Sequence, residues 1–211
     1  MRFRDRRDAG GQLATRLQTE DLDDPVVLAL PRGGVPVAFE IAGTIGAPLD
    51  VLVVRKVGAP NHAEFGIGAI AEGGITVRDE AAMRMVGASE QRFEEIADRE
   101  RAELARRVQL YRGDRLLPDP AGHDVVLVDD GLATGVSAEA AIVAMRAREA
   151  RRVVLAVPVS AADTAIRLAE HAEVICLVTP MRFSAVGEWY DDFGQTSDNE
   201  VLDLLARASD R

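Results

Sequence analysis

The residues with the most evident chemistry are Asp129 and Asp130. They close the apolar run Val125-Val126-Leu127-Val128 and are followed by Gly131-Leu132-Ala133-Thr134-Gly135-Val136-Ser137. The apolar run predicts a buried strand, and the carboxyl end of such a strand is where open α/β sheets bind ligands. The turn Ala133–Ser137 opens a helix-length segment, so successive backbone N–H groups gather there as a nest for an anion. Gly135 permits close approach, and the Thr134 and Ser137 hydroxyls add donors. Two carboxylates beside such a nest repel a bare polyanion but accept hydrogen bonds from a diol. The combination suits a sugar phosphate such as ribose 5-phosphate. Capping of the helix alone needs only one acid.

Five continuous apolar runs supply the strands that hold these residues: Val26–Leu30, Leu49–Val54, Val125–Val128, Val153–Val157 and Val174–Val178. Continuous rather than alternating runs are expected of strands buried on both faces. Helix-length segments Val35–Ile45, Ser137–Ala150 and Ala161–His171 lie between most of them. The alternation predicts one α/β domain over residues 1–211, a doubly wound, mainly parallel sheet with helices on both faces. Residues 57–77, rich in glycine, read as a flexible loop. A short helix ending at Gly87 and a long charged one, Ser89–Tyr111, with Ser89 as its N-cap, follow. Ser197-Asp198-Asn199-Glu200 is a capping box for a last helix reaching about Ala208.

The composition, 47% apolar and 28% charged, is that of a globular domain. A net charge of −10 makes the chain a poor general binder of nucleic acid or anionic membrane. One cysteine, Cys176, allows no internal disulfide, and inside an apolar strand it reads as a small hydrophobe. The charged start Arg2–Asp8 predicts no secretory leader, and no apolar run approaches the roughly 20 residues of a membrane span. A soluble cytoplasmic protein is expected. Gly66-Ile67-Gly68-Ala69-Ile70-Ala71 fits a dinucleotide-loop pattern but opens no helix, and His62, His123 and His171 lack metal-ligand spacing.

The segment Val125–Ser137 resembles the phosphoribosyl pyrophosphate (PRPP) motif of type I phosphoribosyltransferases, nearest the adenine phosphoribosyltransferase version. Pro31-Arg32-Gly33-Gly34, after the first strand, is similar to the family's pyrophosphate loop. Arg55-Lys56, after the second, resembles the basic pair leading into its lid, here residues 57–74. The resemblance implies that Asp129 and Asp130 hold the ribose hydroxyls and that Ala133, Thr134, Gly135, Val136 and Ser137 hold the 5-phosphate. It assigns Arg32, Gly33, Gly34, Arg55 and Lys56 to the pyrophosphate, and it implies a non-proline cis peptide at Arg32-Gly33. Asp129, Asp130, Lys56 and Arg32 would be catalytic.

Four of the nine aromatic residues fall in 183–193. Within the segment 180–196, Phe183–Tyr190 is similar to the hood that covers the base in purine enzymes. Phe183 or Trp189 would stack on the acceptor and the Val186 backbone would bond its edge; a satellite cluster pinning the C-terminal helix is the other reading. Hypoxanthine–guanine enzymes carry an acid where this chain has Ala133, which leaves Glu188, Asp191, Asp192 or Glu64 as proton-transfer groups, or an acceptor that needs none. The resemblance implies transfer of phosphoribosyl from PRPP to a purine-like nitrogen acceptor and a homodimer. Mg²⁺ would be held by the substrate, with Asp129 and Asp130 reaching it through water at most and no dedicated metal cage. A non-catalytic PRPP or nucleotide sensor on the same fold is the alternative.

Overall fold

The computed structural model describes residues 2–210, with the side chain of Glu64 outside the described residues. Five parallel strands form the central sheet: β1 (Val26–Ala29), β2 (Leu49–Val51), β6 (Asp124–Val128), β7 (Arg152–Val159) and β8 (Glu173–Val178), in the order β2-β1-β6-β7-β8. Alternate residues along a strand face opposite sides, so each strand feeds two cores. Val27, Ala29, Val126 and Val128 meet α1 (Arg6–Leu17), α2 (Gly34–Ile45) and α7 (Asp198–Ser209) on one side. Leu28, Val125, Leu127 and Leu155 meet α5 (Val136–Ala147) and α6 (Ala162–Ala169) on the other. Burial on both faces is why these strands are apolar throughout. Among the described residues no helix is long and apolar enough to cross a membrane.

The chain passes from β1 outward to β2 and later returns to β6 on the other side of β1. The strand order therefore reverses between β1 and β6, and the crevice at their carboxyl ends is where a doubly wound sheet takes ligands.

Two expectations need correction. The second apolar run does not make one strand through Val54. It breaks after Val51, and β3 (Val54–Ala59) enters a separate antiparallel sheet with β4 (His62–Ala71) and β5 (Ile75–Arg78). The switch is fixed at Val53, whose N–H donates to Glu72 Oε1 at 2.8 Å while the Glu72 N–H donates to Val53 O at 3.2 Å. Glu72 in turn is ion-paired to buried Arg112, whose Nη1 donates to Val51 O at 2.9 Å.

Second, residues 57–77 are mostly strand rather than loop. Their glycines serve close packing as well as turns: a Cβ on Gly68 would lie 2.6 Å from the Phe93 ring and 2.5 Å from Val77 O. Phe93 is buried on α4 (Glu90–Arg112), which begins at Ser89 as expected and follows α3 (Glu80–Val86) with its Gly87 C-cap. The charged N-terminus, to which the sequence reading assigns no element, is helical. The Asp5 side chain caps α1 by accepting from Asp8 N–H, and Ala9, Leu13, Ala14 and Leu17 bury its inner face. That cap and spacing are the local signals that identify the helix.

Candidate active site

β6 is buried along its whole length and delivers Asp129 and Asp130, both partly buried, to the crevice. The loop after β1 comes down directly on them. A Cβ on Gly33 would lie 2.0 Å from Asp130 Oδ2, and one on Gly34 would lie 2.4 Å from Val128 O. Only glycines allow the two loops to meet this closely. The non-proline cis peptide lies between Pro31 and Arg32, one bond before the expected Arg32-Gly33. Arg32 extends toward α7, 3.9 Å from Asp198, which also accepts from the Tyr111 hydroxyl.

At the start of α5, Gly135 has φ 72° and acts as the N-cap. Side chains of α6 take the carbonyls of the turn: Thr164 Oγ1 donates to Ala133 O at 2.6 Å and Arg167 Nη2 to Thr134 O at 2.7 Å. In a trans peptide the carbonyl and the next N–H point oppositely, so the Thr134 and Gly135 N–H groups face away from α6. With the first-turn amides of α5 and the partly buried Ser137 they form the donor set of an anion nest. Ala133 and Thr134 are exposed at its mouth.

The sequence reading missed Arg6. Its Nε donates to Asp130 Oδ2 at 2.7 Å and its Nη1 to Gly194 O at 2.6 Å, and its guanidinium sits 4.0 Å from the centre of the Phe193 ring. The Tyr190 hydroxyl donates to Asp130 O at 2.6 Å. A cleft of about 270 Å³ opens beside Arg6, lined also by Pro36, Gly194 and Thr196. Burial pushes the Asp129 carboxyl well above its ordinary range and the adjacent Asp130 charge adds to this, while Arg6 opposes both. Asp130 is also raised by burial, against the pull of Arg6.

Val186 is placed on the motif itself: its Cγ1 is 2.5 Å from where a Cβ on Gly131 would stand. Phe183, Val186 and Trp189 are partly buried and pack against the cluster of Phe3, Ala9, Val159 and Tyr190. Of the other two aromatics in the segment, Tyr190 is buried and stacks on Phe193 at 4.9 Å. Arg55 is engaged by Glu100 of α4 at 2.7 Å. Lys56 pairs in register with Ala69 and lies across Gly66, on the sheet face that Ala69, Ala71 and Val77 turn toward α5.

The strand-order reversal, the acidic pair and the turn that opens α5 meet at one crevice of a doubly wound fold. The chain belongs to the phosphoribosyl transferase domain family, whose model matches residues 6–191. It is 47% identical over 207 residues to a Mycobacterium tuberculosis protein (strain H37Rv) whose name assigns it provisionally as a phosphoribosyl transferase. The match covers 98% of this chain, which spans about half the length of the curated relatives it matches, 47%. The crystal structure of TT1426 from Thermus thermophilus superposes with a TM-score of 0.84 at 48% identity, over 98% of this chain and 99% of that one. A Neisseria gonorrhoeae protein solved with bound ppGpp shares the fold at 13% identity and a TM-score of 0.52, covering 98% of both chains.

Proposed function

We propose that this chain transfers the 5-phosphoribosyl group of PRPP to a nitrogen acceptor, a purine-like base, with release of pyrophosphate and dependence on Mg²⁺. The observation that carries the reading is the contact of Gly33 with Asp130 at the crevice between β1 and β6. It supports a reading in which one ligand spans the Gly33–Gly34 loop, the acidic pair and the turn before α5.

In this reading the nest of Ala133–Ser137 holds the 5-phosphate, and Asp129 with Asp130 accepts hydrogen bonds from the ribose hydroxyls. Arg32, the Gly33 and Gly34 backbone and Lys56 receive the pyrophosphate, by charge and by N–H donation. The bond from C1 to the pyrophosphate oxygen breaks ahead of bond formation from the acceptor nitrogen, with inversion at C1. Positive charge develops on the sugar and negative charge on the leaving group. Catalysis is therefore mostly positioning and charge stabilisation. The antiparallel sheet β3–β5, standing over α5, would exclude water from C1.

Among the described residues no group of three or more His, Cys, Asp or Glu side chains could hold a metal ion, and Asp130 is already committed to Arg6. The donor set fits a cation carried in by the substrate's own oxygens and reached by Asp129 and Asp130 only through water. When bound, Mg²⁺ supplies charge neutralisation at the pyrophosphate. Phe183 or Trp189 would stack on the acceptor, with the Val186 backbone at its edge.

The test is pyrophosphate release from PRPP with Mg²⁺ and single purine or pyrimidine bases, with thermal stabilisation by PRPP read in the same samples. Release stimulated by a purine supports the reading, and stimulation by a pyrimidine alone overturns the acceptor class. Stabilisation without turnover supports a sensor instead. The absence of both effects refutes the ligand assignment of Asp129–Ser137.

A further inference from the structure

Arg6 stands 124 residues before Asp130 and belongs to no recognised motif, yet it lies at the centre of a closed ring of contacts. Arg6 bonds the Asp130 carboxylate and stacks on Phe193, Phe193 stacks on Tyr190, and the Tyr190 hydroxyl bonds the Asp130 carbonyl. The side chains of Arg6 and Asp130 are only 12% and 15% exposed. A guanidinium is a rigid planar fork, and this one is held by a carboxylate, a backbone carbonyl and an aromatic face. That exceeds what attaching α1 requires, since Ala9, Leu13, Ala14 and Leu17 already bury the helix.

The ring also decides which oxygens remain available. Arg6 uses Asp130 Oδ2, and the Asp130 N–H donates to Asp129 Oδ1 at 2.8 Å. Among the described residues no other side chain donates to Asp130 Oδ1 or Asp129 Oδ2. Adjacent carboxylates, each with one oxygen fixed, thus each keep a second oxygen to accept a hydrogen bond, one for each hydroxyl of a diol.

We propose that Arg6 is a positioning residue for sugar recognition: by holding Asp130 Oδ2 it presents Asp130 Oδ1, beside Asp129 Oδ2, to the 2- and 3-hydroxyls of a ribose 5-phosphate unit. The inference rests on the reading of the site as a PRPP site and adds to it a device on α1 and the 190–194 segment. Its consequence is discrimination: a sugar without the 2-hydroxyl leaves one of the two aligned oxygens unpaired.

The experiment measures calorimetric affinities of the full chain for ribose 5-phosphate and 2-deoxyribose 5-phosphate. The wild type prefers ribose by about tenfold, the size of one hydrogen bond to a charged acceptor. Arg6→Gln reduces that preference to about twofold or less while the deoxy sugar, held by the phosphate nest, changes little. Arg6→Lys, which keeps the charge but not the fork, falls between. A merely structural role for Arg6 would weaken both sugars alike and leave the ratio unchanged; that result overturns the inference. Asp130→Asn separates the two levels: loss of preference there with full preference in Arg6→Gln leaves the site reading standing and removes Arg6 from it. Failure of the wild type to bind or to prefer ribose overturns both. Phe193→Leu removes the ring beneath the guanidinium without touching α1 and is the second variant should Arg6→Gln not fold. It lowers the preference in the same direction, and an unchanged ratio counts against the proposal equally.

Discussion

Replacing Gly33 with alanine puts a methyl carbon 2.0 Å from Asp130 Oδ2 and 2.6 Å from its Cγ. Ordinary contact begins near 3.4 Å, so the carboxylate must move by more than an ångström. The available relief is rotation of the Asp130 side chain, which breaks the 2.7 Å bond from Arg6. A lost charge-assisted hydrogen bond in a partly buried pair costs about 1.5–3 kcal/mol. For a domain of this size that lowers Tm by about 3–10 °C. Gly34→Ala differs in kind, because its methyl would meet Val128 O at 2.4 Å and Asp129 Cα at 3.0 Å, both backbone. No rotamer relieves that clash, so the loop itself is displaced and the loss is at least as large. Gly11→Ala is the control: nothing lies within 4 Å of its Cβ on the exposed face of α1, and removing a helical glycine gains about 0.5–1 kcal/mol. Thermal unfolding with and without PRPP should rank Gly11→Ala above wild type, then Gly33→Ala, then Gly34→Ala. The stabilisation by PRPP should fall sharply in the last two. A Gly33→Ala protein with a Tm within about 1 °C of wild type and an undiminished PRPP shift would refute the close approach on which the site reading depends.

Other perturbations probe separate parts of the molecule. The folded-state pKa of Asp129 is raised by burial and by Asp130, so ionising it costs the folded state. That cost is absent below the unfolded value of about 3.9 and grows as pH rises through the raised pKa. Asp129→Asn should therefore stabilise the fold more at pH 8 than near pH 4, and a Tm difference that shrinks with rising pH contradicts this. Together with Asp130→Asn it should reduce kcat/KM by about 10²-fold or more; near-wild-type turnover removes the ribose assignment. Burial pushes the Cys176 thiol up to about 11, so native protein at pH 8 should resist a disulfide-exchange reagent that reacts promptly after denaturation. Equal rates in the two states would show the thiol to be accessible. Glu72→Ala leaves buried Arg112 with only Asp50, at 4.0 Å, as a carboxylate partner and should cost about 3 kcal/mol in urea unfolding, and a loss under about 1 kcal/mol would mean that the Glu72–Arg112 contact does not anchor the second sheet.

What the sequence determined by itself is what local pattern encodes. Val125–Val128 is apolar at every position because both faces of β6 are covered, and the acidic pair and small-residue turn follow it without a break. Ser89, Ser197 and Gly87 mark helix ends through hydrogen bonds and a left-handed backbone spanning only a few residues. What needed the tertiary structure was every feature set by residues far apart in the chain. Glycine in 57–77 reads equally well as a turn or as a gap for a neighbour, and only Phe93 lying against Gly68 decides for the gap. The aromatics of 183–193 cluster visibly in sequence, but Tyr190 and Phe193 are turned to Arg6 and Asp130 by contacts over 60 and 187 positions. Arg6 itself looks like any surface charge until α1 packs on the sheet's face and brings it to Asp130. Strand and cap signals repeat within one or two turns of chain and are legible there; an ion pair closed by the packing of a helix on a sheet leaves no periodic trace in either partner's neighbourhood.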